Sequence, residues 1–214
     1  MHNRITLGRM QNPVRGFLHG SAALTAAVGT IVLATKTSSP SGRMAMVVYG
    51  LGLVALYTTS SLYHSIPWRE TWKKRMQRLD HAMIFVLIAA TFTPMGAIAL
   101  DGWVRAVSLG VAWFIAVLGV SHHLFIRRQR FHLSIGLMVT MGWLSVPLMF
   151  PLADRGGMAL VGYLAAGGVI YTIGMVIVAT SWPRLWPRVF SSHELFHVMV
   201  VTASVLHFVA ILRY

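Results

Sequence analysis

Seven apolar stretches, each long enough to cross a lipid bilayer, constrain this chain more than any other feature. They lie at about 14–35, 44–66, 80–100, 103–125, 132–152, 158–180 and 192–213. A membrane helix needs about 20 mostly apolar residues to cross a hydrocarbon core of roughly 30 Å. Only 11% of the 214 residues are charged, whereas soluble domains carry about a quarter. The sequence therefore predicts one all-α domain over 1–214, a polytopic bundle of seven transmembrane helices.

The distribution of lysine and arginine predicts the orientation of this bundle. Of these 18 residues, 13 lie before or at the start of the first stretch or in the loops after the second, fourth and sixth, and five lie on the other side. Because positively charged segments stay in the cytoplasm, we expect the N-terminus inside and the C-terminus outside. This topology also explains the net charge of +13, so we expect no nucleic-acid partner. The first stretch is too long for a signal-peptide core, and we expect it to remain as a helix.

Polar side chains occur inside three of these stretches, where they are costly and point to function. Ser60 and His64 lie four residues apart near the end of the second stretch. His193 and His197 repeat that spacing at the start of the seventh, and Asp80 opens the third. Residues four apart share a helix face. The predicted orientation also places all five near the cytoplasmic side of the membrane.

Three imidazoles in this arrangement are typical of a zinc site. Catalytic zinc commonly takes three protein ligands and leaves a fourth position for water. We therefore predict that His64, His193 and His197 bind Zn²⁺. Asp80 is expected to act as a base towards the water or to orient a ligand, and Ser60 to hold the water or a substrate carbonyl. The chain has no cysteine, so thiolate ligands and disulfides are excluded.

The remaining histidines are expected to have ordinary roles. Interfacial or hydrogen-bonded positions are predicted for His2, His19, His122, His123 and His132. His207 lies about 15 Å beyond His197 along the helix, which suggests packing or an interhelical hydrogen bond. His81 should point about 100° away from Asp80.

The segment from His193 to His197 also matches the H-E-x-x-H signature of zinc proteases, in which the glutamate is the base. However, Ser191 and Glu194 equally satisfy a helix capping box, which explains the glutamate more simply. A retinal protein is excluded because its Schiff base needs a lysine inside the last helix, and every lysine here lies outside the seven stretches. A channel or transporter is not indicated, since the ionisable groups cluster on one side.

Four segments together resemble the bacterial hemolysin III-like branch of the progestin and adipoQ receptor family. They are 59–65 (TSSLYHS), 79–85 (LDHAMIF), 90–94 (ATFTP) and 193–197 (HELFH), with 206–208 (LHF) also fitting. The resemblance covers nearly the whole chain, with the motifs in the family's order. It implies a zinc site facing the cytoplasm, with His64, His193 and His197 as ligands and with Asp80 and Ser60 around the metal-bound water. The chain lacks the long N-terminal region of the animal hormone receptors of this family.

The resemblance also implies a role in membrane homeostasis, and the wider superfamily includes alkaline ceramidases. We therefore expect an inner-membrane zinc protein that acts on membrane lipids, with hydrolysis of a lipid amide or ester as its reaction. A sensor or regulator with structural zinc and a pore-forming haemolysin are the alternatives. The substrate, the oligomeric state and whether any reaction occurs are left open by the sequence.

Overall fold

The described part of the chain, residues 10–126, 131–186 and 189–214 of a computed structural model, is built from α-helices. The helices are α1 Pro13–Lys36, α2 Pro40–Ser65, α3 Glu70–Ala99, α4 Gly102–Phe125, α5 Phe131–Trp143, α6 Met149–Thr180 and α7 Ser192–Arg213. His2, for which an interfacial position is predicted, and the arginines at 4, 9, 127, 128, 130 and 188, which contribute to the predicted orientation, lie outside the described residues. The predicted all-α class is confirmed.

Local sequence explains where two of the site-bearing helices begin. Pro40 occupies the first turn of α2, where its missing N–H costs nothing, and Ser39 before it accepts a hydrogen bond from the Gly42 amide. At the start of α7, the Ser191 side chain caps the helix while Glu194 binds the Ser191 amide in return. The predicted capping box is therefore confirmed.

α3 lies at the centre of the bundle. It packs against α2 and α4, its neighbours in the chain, and also contacts α5, α6 and α7. Of its most apolar window, 61% is buried within the protein, against 17% for α1 and for α4. A helix that exposes most of its apolar side chains is suited to lipid, whereas α3 is enclosed by protein. Residues on α3 are therefore well placed to line an internal site.

Six segments of the described chain are long and apolar enough to cross a membrane. One of them, His132–Thr180, covers the region where the sequence predicts two spans. Here α5 ends at Trp143, a 3₁₀ turn follows at Val146–Leu148, and α6 begins at Met149. Proline removes a backbone donor and disfavours continued helix, which explains the interruption around Pro147. Gly157 interrupts α6 again with a positive φ of 78°.

Backbone and side-chain contacts bring the start of α1 to the end of α2. The Asn12 amide donates to the His64 carbonyl at 2.9 Å, and the Ser61 hydroxyl donates to the Gly16 carbonyl at 2.8 Å. α1 also packs against the last helix, α7. The start of α1, the end of α2 and the start of α7 therefore meet at one end of the bundle, which we call the site end.

Candidate metal centre

Three imidazoles from α2 and α7 meet at the site end. His64, His193 and His197 each place one ring nitrogen within 4.8 Å of the others. The His64 ring centroid lies 4.8 Å from that of His197 and 5.6 Å from that of His193. The two α7 rings stack at 5.0 Å because they stand one helical turn apart. The structure thus brings together the three residues predicted to bind zinc.

The ring nitrogens of His64 are suited to binding a metal ion. His64 is only 2% exposed, and neither of its ring nitrogens has a hydrogen-bond partner among the described residues. A buried polar atom without a partner is costly, and a metal ion satisfies such an atom directly. Nitrogens bound to one zinc ion at 2.0–2.1 Å would lie about 3.3 Å apart, and the three nitrogens here already lie within 4.8 Å of one another. The three residues therefore fit a metal ion.

Asp80 and Ser60 face the same internal space as the two α7 histidines. A cavity of about 690 Å³ is lined by all four of these residues. Both polar side chains are buried, and the Ser60 hydroxyl lies beside the Asp80 carboxylate. The predicted site residues from α3 and α2 are thus placed beside the histidine cluster. Whether they act in catalysis remains a prediction.

His19 of α1 is a further member of this cluster, although its sequence position predicted only an interfacial or hydrogen-bonded side chain. Its ring is 3% exposed and lies within hydrogen-bonding distance of His197 Nδ1, with His19 Nε2 at 3.0 Å. Histidines that bind metals usually use their second ring nitrogen to contact a partner that fixes the ring. His19 can do this for His197, which leaves His197 Nε2 as the ligand atom. A single histidine on α1 carried no spacing signal that could have revealed it.

A buried ion pair fixes the start of α7. Arg15 of α1 donates from Nε to Glu194 Oε1 at 2.7 Å, and both side chains are at least 90% buried. The other Glu194 oxygen accepts from the Ser191 amide and hydroxyl. Glu194 is therefore held by a cap and a guanidinium, and it is poorly placed to act as the base of a zinc protease. From the sequence, Arg15 contributed only to the predicted membrane orientation.

Two other histidines also occupy defined places. His81 lines the same cavity as Asp80, and its ring packs 5.7 Å from that of His123 on α4. His207, deeper on α7, lies 3.0 Å from the Leu164 carbonyl of α6 through Nε2. The expected interhelical hydrogen bond of His207 is confirmed. His81, in contrast, belongs to the wall of the site cavity, which the spacing argument did not anticipate.

A second, apolar cavity adjoins the polar one. It has a volume of about 190 Å³ and is lined mainly by aliphatic and aromatic side chains of α3, α5, α6 and α7. The two cavities share six lining residues, namely Leu56, Ile84, Met138, Met175, Phe196 and Val200. The histidine cluster therefore stands at one end of a space whose other end is apolar.

Comparison with known proteins agrees with this architecture. Residues 8–208 match the model of the haemolysin-III related family. Hemolysin-3 of Bacillus cereus is 31% identical over 203 residues, which cover 92% of this chain and 88% of the relative. The Bacillus subtilis hemolysin-3 homolog is 28% identical, covering 90% and 87% of the two chains.

The chain is also similar, over most of its length, to an animal protein. The human monocyte to macrophage differentiation factor is 24% identical over 210 residues, which cover 92% of this chain and 82% of the relative. The apolar helices and these relatives identify a multi-pass membrane protein. The resemblance to the hemolysin III-like branch of the progestin and adipoQ receptor family is confirmed. The chain therefore belongs to the haemolysin-III related family.

Proposed function

We propose that this protein is a zinc-dependent hydrolase that cleaves an amide or ester bond of a membrane lipid. The observation that carries the proposal is the cluster of His64, His193 and His197 beside a cavity that also contains Asp80. We place the protein in the bacterial inner membrane, with the site end facing the cytoplasm. This orientation follows from the excess of lysine and arginine on that side.

Helix dimensions favour seven membrane passes. A continuous helix over the 49 residues His132–Thr180 would be roughly 74 Å long, more than twice the hydrocarbon core. The segment is instead interrupted around Pro147 and at Gly157. Two passes joined at these breaks bring the total from six to seven. This count places the two chain ends on opposite sides, as the orientation requires.

Each residue at the site has a separate role in the proposed hydrolysis. A zinc ion held by His64, His193 and His197 would polarise a substrate carbonyl and make a water molecule more acidic. Asp80 accepts the proton of the attacking water at a carboxylate oxygen, and its burial keeps this transfer away from bulk solvent. The Ser60 hydroxyl, which lies beside the carboxylate, donates a hydrogen bond that orients it in this proposal. A hydroxyl has one proton, so Ser60 becomes free to stabilise the substrate oxygen only after Asp80 is protonated.

The shape of the internal space supports a lipid as substrate. A polar chamber of about 690 Å³ contains the titratable groups, and the adjoining chamber of about 190 Å³ is apolar. An acyl chain in the apolar chamber would place its carbonyl near the shared wall, next to the histidines. The kinked region of α5 and α6 offers a lateral route from the membrane. Hydrolysis of a soluble substrate would not need the apolar chamber.

The proposal is tested on the purified full-length protein in maltoside micelles. Crystals should give an anomalous-scattering peak at the zinc edge among His64, His193 and His197. The protein should also release fatty acid from a mixture of bacterial membrane lipids, and chelation should stop the release. Zinc without any release would leave a sensor with structural zinc, and metal-independent conductance in planar bilayers would point to a pore-former. Either result would contradict the hydrolase proposal.

A further inference from the structure

One face of α3 lines both cavities in succession. Lys74, Gln77, Arg78 and His81 share one side of the helix, since Lys74 is three or four residues from Gln77 and Arg78, as is His81, and all four border the polar cavity. The same face continues into the apolar cavity, whose α3 residues are Ile84, Leu87, Ile88, Thr91, Phe92 and Met95. Ile84 borders both cavities. Along this face the helix therefore changes from cationic to apolar, as an amphiphilic ligand would require.

The wall of the polar cavity that α3 forms carries a net positive charge. Lys74 and Arg78 carry the positive charges, and Asp80 is the only carboxylate among its described lining residues. Hydrogen-bond donors from other elements also line it, including His132 of α5, Ser181 after α6 and Ser192 of α7. Arginine and lysine with neutral donors around them form the usual environment of a phosphate group.

The order of groups along α3 matches the order of parts in a lipid. The cationic segment from Lys74 to His81 is about 10 Å long by helix rise, and the apolar segment from Ile84 to Met95 is about 16 Å long. Asp80 lies within the cationic segment, one turn before Ile84, and His193 and His197 line the same polar cavity. A lipid that places its acyl chain in the apolar cavity would thus place its headgroup next to Lys74 and Arg78.

We propose that Lys74 and Arg78 bind the phosphate group of an anionic lipid, whose acyl chain occupies the apolar cavity. The inference rests on the proposed function, because it names the headgroup of the same substrate. It selects phosphate-bearing lipids over neutral acylglycerols and over amides with uncharged headgroups. The positive charges at the cavity then serve substrate selection in addition to membrane topology.

The chain offers a matched control on the same helix. Lys73 and Arg75 are not among the described residues that line the cavity, and Arg75 packs instead over the Trp72 ring at 5.0 Å. The double variants K74Q/R78Q and K73Q/R75Q therefore remove the same charge from the same turn region. Any difference between them reports the position of the charges and not their number.

Binding is measured on zinc-free, full-length protein in maltoside micelles, so that no turnover is required. The probes are a fluorescent short-chain phosphatidate, the diacylglycerol with the same tails, and inorganic phosphate as competitor, all read by anisotropy. We expect K74Q/R78Q to bind the phosphatidate about tenfold or more weakly, because charge-assisted hydrogen bonds are lost. Its affinity for the diacylglycerol should be unchanged, and K73Q/R75Q should bind both lipids as the wild type does. Thermal unfolding confirms that each variant is folded.

Several results would overturn the proposal. Equal losses in the two double variants would show a general surface-charge effect, and equal wild-type affinity for phosphatidate and diacylglycerol would remove the headgroup site. Displacement by inorganic phosphate at the same concentration as by phosphatidate would assign the site to free phosphate. Because the assay needs neither zinc nor hydrolysis, failure of the hydrolase proposal would not imitate any of these outcomes.

Discussion

Two aspartates accompany α3, one within its first half and one just after its last residue, and their surroundings differ. Asp101 follows the last turn, and its side chain is 67% exposed. It forms ion pairs with Arg105 and Arg155. Both arginines also donate hydrogen bonds to backbone carbonyls at the end of α3: Arg155 to that of Ile98 at 2.9 Å, and Arg105 to that of Leu100 at 2.6 Å. Asp80 lies within α3, ten residues after Glu70, is 9% exposed and lies beside the Ser60 hydroxyl.

This difference separates a structural carboxylate from one suited to chemistry. The last carbonyls of a helix lack partners within the helix, and the arginines around Asp101 supply them. Asp101 offsets the charge of these arginines, and the arginines satisfy the carbonyls at the end of the helix. Among the described residues, Asp80 forms no ion pair with lysine or arginine. A buried carboxylate without a cation is expensive, and such expense in a membrane is a mark of function.

The largest expected effect comes from removing a histidine at the site end. The His64→Ala variant should lose bound zinc almost completely, because two ligands from α7 do not close the site. Zinc content is measured by mass spectrometry on purified protein. His132→Ala, which changes an exposed histidine at the cavity wall, is the control and should keep one zinc per chain. Full zinc occupancy in His64→Ala would contradict the proposed ligand set.

The second test compares the two aspartates directly. Asp80→Asn should keep zinc but reduce lipid hydrolysis by roughly 10²–10⁴-fold, the usual contribution of general acid–base catalysis. Asp101→Asn should keep both zinc and hydrolysis, since it lies at the opposite end of α3. Fatty-acid release per bound zinc is the measured quantity. Similar activity in the two variants would remove the distinction between them.

The third test concerns the ion pairs at the two ends. Arg15→Gln leaves the Glu194 carboxylate buried without its cation, so it should lower the free energy of unfolding by about 3 kcal/mol. Arg105→Gln removes a partly exposed partner of Asp101 and should cost less, because solvent screens that pair. Chemical denaturation in micelles measures both. A larger loss in Arg105→Gln would mean that the opposite end, and not the site end, carries the stabilising charges.

A smaller effect is expected from His19. His19→Ala removes the contact that holds the His197 ring, so zinc affinity should fall by about 10–100-fold, while one zinc still binds at saturation. Competition with a chromophoric chelator measures the affinity. His122→Ala serves as the control on a histidine that lies outside the cluster. Unchanged zinc affinity in His19→Ala would show that the His19 contact only packs α1 against α7.

Much of the fold followed from residue pattern, because a membrane span depends on local composition and length. The exception is the region of 132–180, where two predicted spans meet in one apolar segment. Proline there was compatible with either a kink or a break. The choice depends on whether neighbouring helices can satisfy the freed backbone groups, which a single sequence does not reveal.

The site was partly predictable for a similar reason. Spacing of four residues places His193 with His197 on one face, and Ser60 with His64 on another, so these pairs could be found. His19 and Arg15 come from α1, and each reaches its partner across about 180 residues of chain. Such contacts depend on how α1 packs against α7. Local periodicity holds no information about that packing.

The smallest expected effect is a pH dependence at the opposite end. The hydrogen bond and charge of Arg155, with Arg105 adding to them, hold the pKa of Asp101 below its usual value of 3.8. A carboxylate whose folded pKa is depressed contributes stability above its unfolded pKa, and this contribution is lost as the pH falls through the folded pKa. The wild type should therefore unfold at a higher temperature than Asp101→Asn at about pH 5 to 7, and the two curves should converge below about pH 3.

This comparison is made on zinc-free protein, so that protonation of the metal site does not contribute. Glu70, Asp80, Asp154 and Glu194 are common to both proteins, and their titration cancels in the difference. A gap that stays constant down to the lowest pH would show that Asp101 acts through packing or a neutral hydrogen bond. If the difference in unfolding temperature instead grew as the pH fell, the charged form of Asp101 would be destabilising. Asp101 would then no longer differ from Asp80 as a carboxylate that its arginines stabilise.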